Sequence, residues 1–275
     1  MTGSDNLFIH VEENGISGVG EMAPGSTEGA DTPKKGEKML ADFCASEKSS
    51  NSIQENYDNA IEAGVAPCVV AALDMALWDL RAKQASLPLY KLLGLSRKVV
   101  PTSVTVGINP PEVVRERIPL LLDGTGVKAL KIKLGSPEGL DADQEMFSAV
   151  LEMTKNRSTI IRVDANGGWS VPDAKKMMQW LADRGVEYIE QPLKKGQEDD
   201  LIHLFKDRPL PIYVDESCRV SSDIPNFADR VDGVNLKLMK CGGITEALRI
   251  VSTARAFGLK TMIGCMGESL SLIHI

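Results

Sequence analysis

From residue 99 onward the chain repeats one pattern: a short apolar run, a polar or glycine-containing break, then a longer stretch whose apolar residues recur every three or four positions. The short runs predict strands near 101–108, 129–135, 159–165, 186–191, 211–216, 232–238 and 260–265, and the stretches between them predict helices. Alternation of this kind implies parallel strands. Some helix ends are legible: Ser170 caps one, with Pro172 and Asp173 in its first turn and Gly185 beyond its end, and Thr245 and Gly258 bracket another. Seven strands are one fewer than a closed eight-stranded barrel needs, and only ten residues follow Cys265, too few for another unit. The expected class is α/β, a (β/α) TIM-type barrel that is incomplete, with its eighth strand missing and strands one and seven left as open edges.

Before residue 99 the pattern differs. The segment FIHVEENGISGVGE reads as strand, turn at Asn14-Gly15, strand. The polar stretch from Pro24 to Lys38 reads as loop, and residues 66–83 read as a helix because Val69, Leu73, Ala76, Leu77 and Leu80 fall at helical spacing ahead of Pro88. We therefore expect two regions, a partial α+β capping domain over 1–98 and the barrel over 99–275.

The strand-like segments of the second region end in charged residues: Lys131 and Lys133 in ALKIKLG, Asp164 in IIRVDAN, Glu190 in YIEQP, Asp215 in IYVDES and Lys237 in VNLKLMK. From Lys133 the steps are 31, 26, 25 and 22 residues, each about one βα unit. Side chains alternate along a strand, so Lys131 and Lys133 share a face, as do Arg162 and Asp164, and Asn235 and Lys237. If the strands curl into a barrel, this charged set converges at one end. Burying an unpaired carboxylate is expensive, so three together require a cation. Alone, a Lys-x-Lys is a solvated edge and DAN or DES a turn or cap; the coincidence of all of them on successive strand ends is what points to a site.

Composition adds exclusions. Net charge is 31 minus 38, or −7, which argues against nucleic acid as a partner. No apolar run is long enough to span a bilayer and no signal peptide is evident, so the chain reads as cytoplasmic, with no membrane partner. The five cysteines are widely spaced without a CxxC pair, which fits reduced thiols acting as small buried hydrophobes.

The motifs KIK, VDANGGW, EQP, VDES and NLKLMKCGG, in this order and spacing, resemble the muconate-lactonising subgroup of the enolase superfamily, and within it the dipeptide (L-Ala-D/L-Glu type) epimerases. AALDMALWDLRAK and PLYKLLG are similar to that family's cap helices, and TMIGCMGES to its seventh strand. The resemblance implies an isomerase: Asp164, Glu190 and Asp215 would bind one Mg2+ per subunit, and Lys133 and Lys237 would be acid and base on opposite faces of a small-molecule carboxylate substrate, a dipeptide. It further implies 1,1-proton transfer through an enediolate, with Lys131 supporting substrate and charge and Thr105, Cys265 and Gly267 lining the substrate pocket. Cycloisomerisation of a muconate or formation of o-succinylbenzoate would use the same lysines and metal, and a non-catalytic chain that keeps the metal site is the alternative of a different class. Histidines 10, 203 and 274 fall on no predicted barrel-strand end, against the subgroup with a histidine base. The chain departs from the family pattern in lacking room before Phe8 for the cap's first strand and specificity loop, and in lacking the eighth-strand Asp-x-Asp motif; the tail SLSLIHI resembles nothing there. Truncation at both ends is thus expected, and assembly into a homo-oligomer is left open.

Overall fold

A computed structural model describes residues 5–46, 52–97 and 102–269. Its first elements are β1 (Leu7–Glu13) and β2 (Ile16–Met22), paired antiparallel about Asn14 and Gly15. Both turn residues have positive φ, 52° and 76°, which is why Asn-Gly is favoured in a two-residue hairpin loop. Gly18 and Gly20 are buried against α3 (Pro67–Gln84), where a Cβ would stand 2.1 Å from the Ala76 carbonyl oxygen and 1.9 Å from that of Ala72. Strand and helix backbones therefore touch, and only glycine fits. Covered by β2 on one side and by the barrel on another, α3 buries residues from Cys68 to Ala76 without interruption, instead of a single stripe.

Among the described residues this region has three further helices: α1 (Pro33–Cys44), α2 (Ile53–Glu62) and α4 (Leu89–Leu92). The first overturns part of the loop expected over 24–38. Thr32 accepts a hydrogen bond from the Lys35 amide and Pro33 opens the helix, which a polar composition conceals because only Gly36 and Phe43 of α1 are buried.

The second region runs β3 (Ser103–Val106), α5 (Pro111–Leu122), β4 (Ala129–Lys133), α6 (Leu140–Thr154), β5 (Ile160–Asp164), α7 (Val171–Ala182), β6 (Ile189–Glu190), α8 (Ile202–Phe205), β7 (Ile212–Val214), β8 (Gly233–Leu236), α9 (Leu238–Cys241), α10 (Ile244–Ala256) and β9 (Lys260–Ile263). All seven strands are parallel and pair in chain order from β3 to β9, and among the described residues β3 and β9 do not pair with each other. Among the described residues the wall is an incomplete barrel with two open edges, as expected. Leu130 and Ile132 of β4 are fully buried in the cluster that also holds Val114 and Ile118 of α5 and Phe147 and Val150 of α6, while Lys131 and Lys133 take the opposite face.

Ser170 caps α7 through the Asp173 amide, but Thr245 does not cap α10: Gly243 is the cap, and the Thr245 hydroxyl and amide instead bond to Asp74 of α3. The core of the first region includes Met239 and Ile244 of the second, so the two pack as one body. The expected boundary at 98 and the tail beyond 269 lie outside the described residues. All five cysteines are free; Cys68, Cys218 and Cys241 are buried, but Cys44 and Cys265 are exposed, contrary to the expectation for them.

Candidate active site

Strand register brings the predicted residues together. Lys133 stands opposite Asp164, and Asp164 opposite Glu190, with Asp215 directly after β7 and Lys237 directly after β8. An oxygen of each of Asp164, Glu190 and Asp215 lies within 4.8 Å of the others, and all three residues are buried. The lysines flank this group. Lys133 Nζ donates to Asp164 Oδ2 at 2.6 Å, Lys237 Nζ to Asp215 Oδ2 at 2.5 Å, and Lys131 Nζ lies 2.7 Å from Glu190 Oε1 and 2.9 Å from Asp164 Oδ2.

Burial pushes carboxyl groups up and the lysines push them down, and the outcome differs at each position. At Asp164 and Asp215 burial is outweighed by the paired ammonium groups, Lys131 and Lys133 for the first and Lys240 and Lys237 for the second, so both are held low, Asp215 at about 2. Glu190 is pushed up to about 7 by burial and then by the neighbouring Asp164 and Asp215, against the opposing pull of Lys131. Its Oε2 is buried and has no hydrogen-bond partner among the described residues. Three hard oxygen donors, one of them carrying an unpaired atom and an unrelieved charge, fit a divalent cation such as Mg2+, and the lack of His or Cys among them argues against zinc.

Loops around the strand ends hold this geometry. Gln191, in the left-handed region at φ 41°, accepts from the Asp215 and Ser217 amides and donates to the Leu193 carbonyl and the Ser217 hydroxyl. Buried Asp143 accepts from the amides of Gly135 and Ser136 and from the Trp169 indole, tying the loop after β4 to that after β5. Gly264 follows β9, and a Cβ there would lie 2.8 Å from Asn235 Oδ1 and 2.9 Å from Lys237 Cε. Its φ is not positive, so the demand is for space next to Lys237.

Sequence reasoning missed Lys240, Gln191 and Gly264 as parts of this cluster, and placed Asn235 on the face of Lys237 without giving it a role. For Lys240 and Gln191 a signal existed, a second lysine in NLKLMK and the polar residue in EQP; for Gly264 there was none. The weaker candidates are placed as follows. Thr105 is exposed on the β3 edge in register with Lys131. Cys265 is exposed, its thiol raised by burial of its sulfur and by Glu268. The Gly267 carbonyl accepts from Asn6, and the next residues are pinned by buried Glu21, which accepts from the Ser269 amide and hydroxyl. Of the described histidines, His10 lies on β1 and His203 on α8, both away from the strand ends.

Residues 114–275 match the family described as enolase C-terminal domain-like, and residues 2–94 match the mandelate racemase / muconate lactonizing enzyme N-terminal domain. The chain belongs to this enolase superfamily. It is 68% identical over 267 residues to the hydrophobic dipeptide epimerase of Roseobacter litoralis, covering 97% of this chain and 77% of that one. It is 35% identical to the L-Ala-D/L-Glu epimerase of Escherichia coli, over 94% of this chain and 77% of the relative. Among solved structures, the Enterococcus faecalis dipeptide epimerase complexed with Mg and the dipeptide L-Leu-L-Tyr superposes with a TM-score of 0.90 at 33% identity, covering 98% of this chain and 78% of that one. These enolase-superfamily relatives are isomerases that act on dipeptides. No helix among the described residues is long and apolar enough to cross a membrane.

Proposed function

We propose that this chain is a Mg2+-dependent epimerase of dipeptides, hydrophobic ones in particular, working by 1,1-proton transfer between Lys133 and Lys237. The observation that carries the reading is the order of the site across the wall: a lysine on β4, carboxylates at the ends of β5 and β6 and directly after β7, and a lysine after β8. A substrate seated against the carboxylates meets one ammonium group from each side. The close relatives' names support the dipeptide class and the hydrophobic preference.

Asp164, Glu190 and Asp215 would hold the ion. When bound it supplies positive charge against the substrate carboxylate as the adjacent carbon loses its proton, the general pattern of enolase-superfamily sites with a lysine base. The chain's own residues do the rest. A lysine must first release its carboxylate partner, and then, neutral, take the α-proton. The lysine on the other side, charged, returns a proton to the opposite face and inverts the centre. Lys131 stays between Asp164 and Glu190, paired with both, and keeps Asp164 paired when Lys133 leaves it. Thr105, Cys265 and Gly267 would meet the dipeptide from the two wall edges, with one ion per subunit.

The test is NMR of L-Leu-L-Tyr and its epimer in D2O with purified chain and Mg2+. Loss of the α-proton signal from both epimers, stopped by chelator, is the expected result. No exchange from either epimer, or exchange indifferent to chelator, refutes the reading; turnover of a muconate in place of dipeptides would move the assignment to cycloisomerisation.

A further inference from the structure

Four ammonium groups surround the three carboxylates, and they differ in how they are held. Among the described residues Lys133 and Lys237 have one acceptor each. Lys240 has three: the Asp215 carbonyl at 2.6 Å, Asp215 Oδ1 at 2.7 Å and the Asn235 carbonyl at 2.7 Å. That number uses every proton an ammonium group carries. Exposure follows the same division, 2% for the Lys240 side chain against 11% for Lys237 and 25% for Lys133. Withdrawing Lys240 would strand a buried charge and two carbonyl oxygens, whereas Lys237 can leave at the cost of one contact.

The two lysines also divide one carboxylate, Lys240 on Oδ1 and Lys237 on Oδ2 of Asp215. We propose that Lys240 is a positioning residue for Lys237: it stays on Oδ1 and the main chain of Asp215, fixing the carboxylate so that Oδ2 can exchange Lys237 for another ligand without Asp215 becoming an unpaired buried charge. The inference rests on the two-lysine reading above and adds a residue to it. Lys131 forms the counterpart on the other side, sharing Asp164 Oδ2 with Lys133 while anchored a second time on Glu190. Each outer lysine therefore has an inner one that keeps the shared carboxylate paired after it departs.

The experiment has two arms. In the first, α-proton exchange in D2O is followed from each dipeptide epimer for the unsubstituted chain, Lys133→Ala, Lys237→Ala, Lys240→Met and Lys240→Arg, with thermal unfolding of each. The two alanine variants show which epimer each base serves. Lys240→Met should then lose exchange of the epimer served by Lys237 at least about tenfold more than that served by Lys133, with Lys240→Arg recovering part of the loss. Equal losses in the two directions, or none, overturn the proposal, since a merely structural lysine would not choose between faces. The second arm needs neither turnover nor a folded variant: the unsubstituted chain is treated with acetic anhydride, with and without saturating Mg2+, and labelled lysines are mapped by mass spectrometry. Lys240 should stay unlabelled in both conditions, and labelling of Lys237 should rise severalfold with Mg2+. Labelling of Lys240 at the rate of Lys237 overturns the proposal whatever the variants do. If the alanine variants fail to silence one epimer each, the two-lysine reading falls, and the labelling arm alone decides whether Lys240 is the fixed lysine.

Discussion

Replacing Glu190 by Gln should stabilise the metal-free chain and remove its response to Mg2+. Glu190 is raised from 4.5 to about 7 by burial and by Asp164 and Asp215. A gap of that size, at 1.36 kcal/mol per unit, means that keeping the group ionised in the folded chain costs on the order of 3 kcal/mol. The unfolded chain gives up this proton above pH 4.5 and the folded chain only above about 7, so between these values the folded state binds more protons. Stability contributed by this group therefore falls as pH rises through that window, and the whole penalty stands above it. Gln keeps the oxygen that accepts from Lys131 at 2.7 Å and from Asn235 at 2.9 Å, and puts a neutral amide where the unpartnered Oε2 was. Lys131 loses one of its two charge partners, which offsets part of the gain, and a net stabilisation of about 1–2 kcal/mol is expected. Urea unfolding at pH 8 in chelator, compared with the same titration in Mg2+, measures both halves of the claim. The unsubstituted chain should gain about 2.7 kcal/mol at an Mg2+ concentration a hundred times Kd, and the Gln variant much less. A Gln variant less stable than its parent in chelator at pH 8, or stabilised equally by Mg2+, would refute the argument that Glu190 is held in an unrelieved charge.

Gly264→Ala should place a methyl group against Asn235 and Lys237 Cε and lower kcat by about tenfold or more with a smaller change in KM; unchanged turnover would show that Lys237 has room to spare. Asp74→Ala should remove the bonds that tie α3 to Thr245 at the start of α10, costing about 1–3 kcal/mol in thermal or urea unfolding while leaving Mg2+ binding intact; unaltered stability would show the contact to be idle. Ile263→Lys, on the open β9 edge where Ile263 is 68% exposed, should reduce concentration-dependent association in light scattering, because a charge on an edge strand opposes pairing with other chains; a parent chain that is monomeric at all concentrations would refute the premise.

The parallel strands, the Asn14-Gly15 hairpin and the α3 helix were legible because each rests on a local periodicity or a turn chemistry with one solution. The charged strand ends were legible for a different reason: they break the apolar pattern at positions where burial should forbid charge, and only a shared site makes all the breaks consistent. What escaped depends on contacts distant in sequence. The α1 helix buries two residues and reads as polar loop. Thr245 looks like a cap until Asp74, far earlier in the chain, occupies its hydroxyl. Gly264 has no special backbone conformation to betray it, since its constraint is the side chains of Asn235 and Lys237 at the end of the neighbouring β8.

The spacings of the two lysine pairs follow from the same local geometry. On β4 side chains repeat every two residues, so a pair on one face must be Lys-x-Lys, and Lys131 and Lys133 are that pair. After β8 the chain does not continue as strand: Lys237, still extended at φ −135° and ψ 129°, is the cap of the single turn α9. Across that turn the residue that returns to the same side is three further on, so the pair becomes Lys-x-x-Lys, and Lys240 meets the carboxylate that Lys237 holds. The order of anchoring is also reversed, with the inner lysine first in the chain on β4 and second after β8. Lys133 and Lys237 thereby end as the less tethered members on either side of Glu190, an arrangement that a reaction taking a proton from one face and returning it to the other requires, and that a site built only to hold an ion would not.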